Sequence, residues 1–217
     1  MLRLDFSRVK RFSSIEDFRL RFRAYLKGIF LTSEHPLAEE TSVIATDFEI
    51  WLQQFRTSSV VLLIDEYDAP LTACLANPGL FESVRNELSD FYAVIKSNDG
   101  LFRFVFMTGI TKFNQTGIFS ELNHLDDISL DKPYAALLGY TSEELKKYFA
   151  PFLEYAADAL HLSRSELLTS LEAHYDGYCF DGLSEEGPVE KVFTPWSVLN
   201  FFSRPQKGFE NYWIESG

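Results

Sequence analysis

Three carboxylates, Asp65, Glu66 and Asp68, crowd the end of the stretch VVLLIDEYDAPL at positions 60–71. An Asp–Glu pair directly after a buried strand is the shape of a Walker B element, in which the Asp holds Mg²⁺ and the Glu polarises the attacking water. Three acids so close could also hold a metal for phosphodiester hydrolysis without any nucleotide. The plain alternatives are a strand that simply meets solvent, with Asp68 capping whatever helix follows Pro70. A second polar group, Thr108, Gly109, Thr111 and Lys112, closes the apolar run LFRFVFM at 101–107. In additional-strand P-loop enzymes a strand end of this kind carries the sensor of the terminal phosphate or the lytic water. The plain alternative is a strand-to-loop turn that needs Gly for backbone freedom. Lys112 has the charge of a phosphate lysine but no glycine cradle. A cradle would read G-x-x-x-x-G-K-[ST], and the chain contains no Gly-Lys pair at all.

Both acidic and sensor-like groups need strands to present them. Val60–Ile64 is an unbroken apolar run and Leu101–Met107 is apolar but for Arg103, which predicts parallel strands buried on both faces. Open α/β sheets bind ligands at the carboxyl ends of such strands, so Asp65 and Thr108 are expected side by side there. Leu2–Phe6 reads as a further short strand. Ser13 or Ser14, with Glu16 and Asp17, predicts a helix start, followed by Phe18, Phe22, Tyr25, Leu26 and Ile29 at helical spacing. A second helix is expected over about 41–55, and a third opens at Pro78. Asp127–Leu130 is a candidate short strand. The order strand, helix, strand, helix, strand predicts a parallel sheet covered on both faces. Beyond Pro133 the texture turns helical, with a capping box at Thr141 and Glu144 and a further helix from Pro195. The aromatics Tyr175, Tyr178, Phe180, Phe193 and Trp196 read as a small core rather than a base-stacking platform.

The 217 residues are 46% hydrophobic and 16% aromatic, enough for a sizeable core. The formal charge of −12 and pI near 4.8 argue against gripping a nucleic-acid backbone. Cys74 and Cys179, the only cysteines, have no framework spacing and suit a reducing cytoplasm. Neither a signal-peptide core nor a membrane-length apolar run is visible.

Several motifs together carry a family resemblance. IDEYDAP (64–70), TGITKF (108–113), IFSELNHLDDISL (118–130), LGYTSEEL (138–145), YDGYCF (175–180), VFTPWSVLNFF (192–202) and NYWIESG (211–217) resemble, in order, the AAA-ATPase-like family of bacteria and archaea. Its members commonly carry a PD-(D/E)XK nuclease-like domain after the ATPase part. The resemblance implies a P-loop NTPase-like parallel sheet with flanking helices over 1–134, lacking the strand and loop of Walker A. A mostly helical, lid-like region over 135–217 would follow. It implies that Asp65 binds Mg²⁺, that Glu66 is the catalytic carboxylate, and that Thr108 and Thr111 are sensor-like. Lys112 is the candidate nucleotide-contacting lysine, and ATP with Mg²⁺ is the expected cofactor pair. The chain resembles an internal fragment, nearly inactive alone. A non-catalytic interaction module on a degenerate ATPase fold is the alternative reading, and a metal-dependent phosphodiesterase the remoter one. The missing strand would lie beside 101–107, leaving a gap there unless 127–130 covers it.

Overall fold

The computed structural model describes residues 1–32, 35, 41–110, 123–179 and 191–212, and of 176–179 the backbone only. It divides into two compact units, Met1–Asp126 and Asp127–Gly217.

The first unit is α/β. Strands β1 (Leu2–Asp5), β2 (Val60–Asp65) and β3 (Phe102–Met107) form a parallel sheet in the order β1-β2-β3. Helices α1 (Ile15–Leu31) and α2 (Ile44–Leu52) connect β1 to β2; the short α3 (Ala69–Thr72) and the long α4 (Pro78–Ser97) connect β2 to β3. The helix starts follow from their caps. Ser14 accepts the Asp17 N–H at 3.2 Å, and Asn77 accepts that of Leu80 at 3.2 Å with Pro78 in the first turn. Helix α2 begins at Ile44, later than the apolar spacing predicts. The Asp47 carboxylate turns back to take the Thr41 N–H at 2.6 Å, and that binds 41–43 as a loop.

The core lies under one face of the sheet. Leu2, Leu4, Val60, Leu62 and Ile64 are buried against Phe6, Phe18, Phe22, Phe48, Trp51, Phe91 and Tyr92. Ring contacts run from Phe6 through Phe22 to Phe91 and on to Phe48, with centroids 5.5, 5.2 and 4.6 Å apart. Aromatic pairs at such spacings add to the area that they bury. The opposite face corrects the expectation of full burial. Register pairs Val61 with Phe104 and Leu63 with Phe106, so these four share it. Phe104 is 53% exposed, and Val61, Leu63 and Phe106 are only half-buried. An apolar run thus built a strand without being covered on both sides. Among the described residues β3 is an edge of the sheet, and 127–130 forms no strand.

In the second unit, β4 (Asp176–Cys179) and β5 (Lys191–Phe193) pair antiparallel, with Tyr140 bridging to Phe193. Helices α5 (Ser142–Tyr148), α6 (Ala150–Leu160), α7 (Arg164–Tyr175) and α8 (Pro195–Ser203) complete it. The Thr141–Glu144 capping box forms as its spacing predicts. A second one, Ser163 with Glu166, starts α7: Ser163 Oγ accepts the Glu166 N–H at 3.3 Å, and Glu166 Oε2 accepts the Ser163 N–H at 2.8 Å. Of the aromatics expected to form a small core, Tyr175 and Phe193 join Leu145, Leu153, Leu171 and Phe201 there, Trp196 is 53% exposed, and Phe180 and the Tyr178 side chain lie outside the described residues. The 175–182 stretch had carried no strand signal; its glycines break the alternation by which strands are recognised.

Candidate functional site

The chemistry-bearing residues gather where β1, β2 and β3 end. Asp65 is the last residue of β2, half-exposed, and Thr108 immediately follows β3. The Thr108 hydroxyl donates to Asp65 Oδ1 at 2.6 Å. Residues 43 positions apart meet because parallel ladders place successive strand ends on one edge. The ladder also continues past the strands: the Thr108 N–H donates to the Ile64 carbonyl at 2.8 Å, and the Tyr67 N–H to the Thr108 carbonyl at 3.0 Å.

Two cations that sequence reasoning passed over answer the acids. Arg3 Nη2 stands 3.9 Å from Asp65 Oδ2, and Lys10 Nζ 3.8 Å from Glu66 Oε2. Both pairs are solvent-exposed and therefore weak. The signal for Arg3 lay in register: LRLD pairs with LLID, which puts Arg3 two positions before the β1 end and beside Leu63. Lys10 is carried by the short 3-10 turn Phe6–Val9, which Asp5 starts by accepting the Ser7 N–H at 3.0 Å. Glu66 adopts a left-handed backbone, φ 50°. A long side chain seldom takes that conformation, and such residues concentrate at functional turns.

Asp68 separates from the other two acids. It is 3% exposed, whereas Asp65 and Glu66 reach solvent. It precedes α3 yet makes no side-chain cap bond. Both of its oxygens lie 3.3 Å from the Ile110 N–H. Gly109 is required beside it, since a Cβ there would sit 2.4 Å from the Tyr67 ring and 2.6 Å from Asp68 Oδ1. The triple-acid cluster expected of a phosphodiesterase does not assemble; among the described residues no group of three His, Cys, Asp or Glu side chains could hold a metal. Of these three acids, Asp65 and Glu66 are the two whose carboxylates reach solvent. One or two carboxylates are what Mg²⁺ commonly takes from a protein, with water and substrate phosphate filling its shell. Thr111 and Lys112 lie outside the described residues.

No described helix is long and apolar enough to cross a membrane. A family model described as a predicted AAA-ATPase, AAA-ATPase-like, matches residues 1–119. An uncharacterised protein in the vnfD 5′ region of Azotobacter chroococcum mcd 1 is 38% identical over 158 residues, 73% of this chain and 27% of that protein. The chain thus spans about a quarter of the length of the curated relative it matches. No solved structure matches. Asp65, Glu66 and Thr108 all fall inside the matched span, and the chain belongs to the AAA-ATPase-like family.

Proposed function

We propose that the α/β unit carries the metal-binding and water-activating part of a Mg²⁺-dependent ATP-hydrolysing site with P-loop NTPase-like topology. The observation that carries this reading is the 2.6 Å bond between Thr108 and Asp65 at the carboxyl edge of neighbouring parallel strands. Asp65 is the residue to hold Mg²⁺, which supplies charge neutralisation at the phosphates. Glu66, on its left-handed turn, is the carboxylate to accept a proton from the attacking water. Thr108 orients the Asp65 carboxylate and is the sensor-position hydroxyl. In this reading Thr111 is a second sensor-like residue and Lys112 the nucleotide-contacting lysine, as the family resemblance implies. Lys10 and Arg3 hold down negative charge at an edge that must receive a polyphosphate.

A glycine cradle and its lysine provide most phosphate contacts in such sites. These 217 residues contain none, so this chain alone binds nucleotide weakly and turns over little or nothing. The cradle, and any nuclease-like or regulatory output, would belong to polypeptide outside them. The second reading is a non-catalytic interaction module; the exposed Phe104 on the open sheet face favours it.

The test is NMR of the full chain titrated with Mn²⁺-ATP, which broadens amides near the metal. Selective broadening at Asp65, Glu66 and Thr108, with a dissociation constant no tighter than about 1 mM and lost in Asp65→Ala, is expected. Broadening absent from this edge at saturating Mn²⁺-ATP overturns the ATPase reading in favour of the interaction module.

A further inference from the structure

Asp68 is left without a role by that site. It neither joins Asp65 and Glu66 nor caps α3. Yet a carboxylate 3% exposed costs several kcal/mol to bury unless bonds repay it. Its placement shows what it serves. Both oxygens face the Ile110 N–H, the second amide after Thr108. The intervening Gly109 backbone lies so close to the Asp68 carboxylate and the Tyr67 ring that no side chain fits. From beneath, the Tyr92 hydroxyl of α4 donates to the Tyr67 carbonyl at 3.2 Å. The helix α4 and the segment leaving β3 are therefore both tied to the buried Tyr67–Asp68 turn after β2.

We infer that Asp68 is a positioning residue that fixes the segment leaving β3 onto the turn leaving β2, through the Ile110 amide. The anchor holds Thr108 between two fixed points: the backbone ladder to Ile64 and Tyr67 on one side, and the Ile110 bond on the other. Without it the chain would be free immediately after Thr108, which its two ladder bonds alone would hold, and the Thr108 hydroxyl would share its time between Asp65 and water. The inference rests on the proposed site for its purpose, but not for its geometry. Asp68 acts through the backbone and is not expected to touch substrate.

Two measurements on the full chain separate the anchor from the site. Amide hydrogen exchange read residue by residue is the first. Asp68→Ala should speed exchange at Ile110 by about tenfold or more, and leave Phe91 and Leu88 in α4 within about twofold of the parent. Asp68→Asn keeps an acceptor oxygen and should return Ile110 to within about threefold. The second is the Mn²⁺-ATP titration, in which Asp68→Ala should blunt the broadening at Thr108 and Asp68→Asn restore it. Unchanged exchange at Ile110 in Asp68→Ala overturns the anchor. So does acceleration spread evenly over the whole unit, which would make Asp68 a packing residue only. Loss of Ile110 protection in a chain whose edge never responds to Mn²⁺-ATP keeps the anchor and removes the ATPase reading instead.

Discussion

The two units use polar side chains in different ways. In Asp127–Gly217 Thr141 with Glu144 and Ser163 with Glu166 each close a helix start within three residues, and the longer-range Tyr175 hydroxyl donates to a backbone carbonyl, that of Glu210, at 2.9 Å. In Met1–Asp126 the bonds that matter at the strand ends are distant, Thr108 to Asp65 and Ile110 to Asp68, and join separate strands at one edge. Local capping stabilises an element and ends there. Long-range convergence costs loop-closure entropy and leaves reactive groups beside one another. The first unit therefore has an edge where carboxylates and a hydroxyl from separate strands meet, and its proposed chemistry lies there.

Cores should not tell the units apart, and that is the first way to break the contrast. Phe91→Ala in α4 and Phe201→Ala in α8 both remove fully buried rings. Each should cost about 3–5 kcal/mol in urea unfolding, and a cost below about 1 kcal/mol for either would expose a loose core there. The tight glycines come next. Gly109 meets Tyr67 and Asp68, and Gly139 meets Val192 with a Cβ gap of 2.5 Å. Replacing either by Ala should lower stability by about 1–3 kcal/mol. Only Gly109→Ala should also disturb the amide signals of Asp65 and Thr108, so an equal disturbance from Gly139→Ala would break the contrast.

Sequence alone made much of the first unit legible, and the reason is periodicity. Val60–Ile64 and Phe102–Met107 announce strands by apolar runs, and parallel pairing then forces Asp65 against Thr108. The runs did not say which face would be covered, since a half-covered and a fully covered apolar strand read alike until register is known. Phe104 and Phe106 are the case in point. Arg3 and Lys10 were hidden because a cation opposite an acid on another strand leaves no local spacing. Asp68 looked like its neighbours Asp65 and Glu66; only burial separates an anchor from a ligand. In the second unit, S-R-S-E at 163–166 carried the capping signal as clearly as T-S-E-E at 141–144, whereas the glycine within β4 hid the alternation of the antiparallel β4–β5 pair.

Smaller effects sharpen the same contrast. Thr141→Ala should cost about 1 kcal/mol by fraying α5, read by circular dichroism on melting. Thr108→Val removes an exposed bond, so about 0.5 kcal/mol or less is expected in the melt, yet Mn²⁺-ATP broadening at Asp65 should weaken. Smallest is Lys10→Ala. Its pair with Glu66 is exposed, so stability should stay within about 0.5 kcal/mol. A larger loss in the melt would make the strand-end charges structural, as the caps of the second unit are.

The hydroxyl of Tyr92 has a consequence of another kind. Burial first, then the neighbouring Tyr67 and Asp68, pushes its ionisation well above the usual tyrosine range; burial does the same to Tyr175 in the second unit. A group whose pKa is raised on folding favours the fold fully below its unfolded value, about 10 for tyrosine. That support declines as pH climbs from there toward the folded value. Of ten tyrosines, these two should therefore stay colourless in the ultraviolet while exposed phenols turn to phenolate. When their phenolate absorbance does arrive, it should arrive together with the loss of near-ultraviolet dichroism. The molecule thus carries one built-in optical gauge in each unit, and an alkaline titration would record which unit opens first without any label.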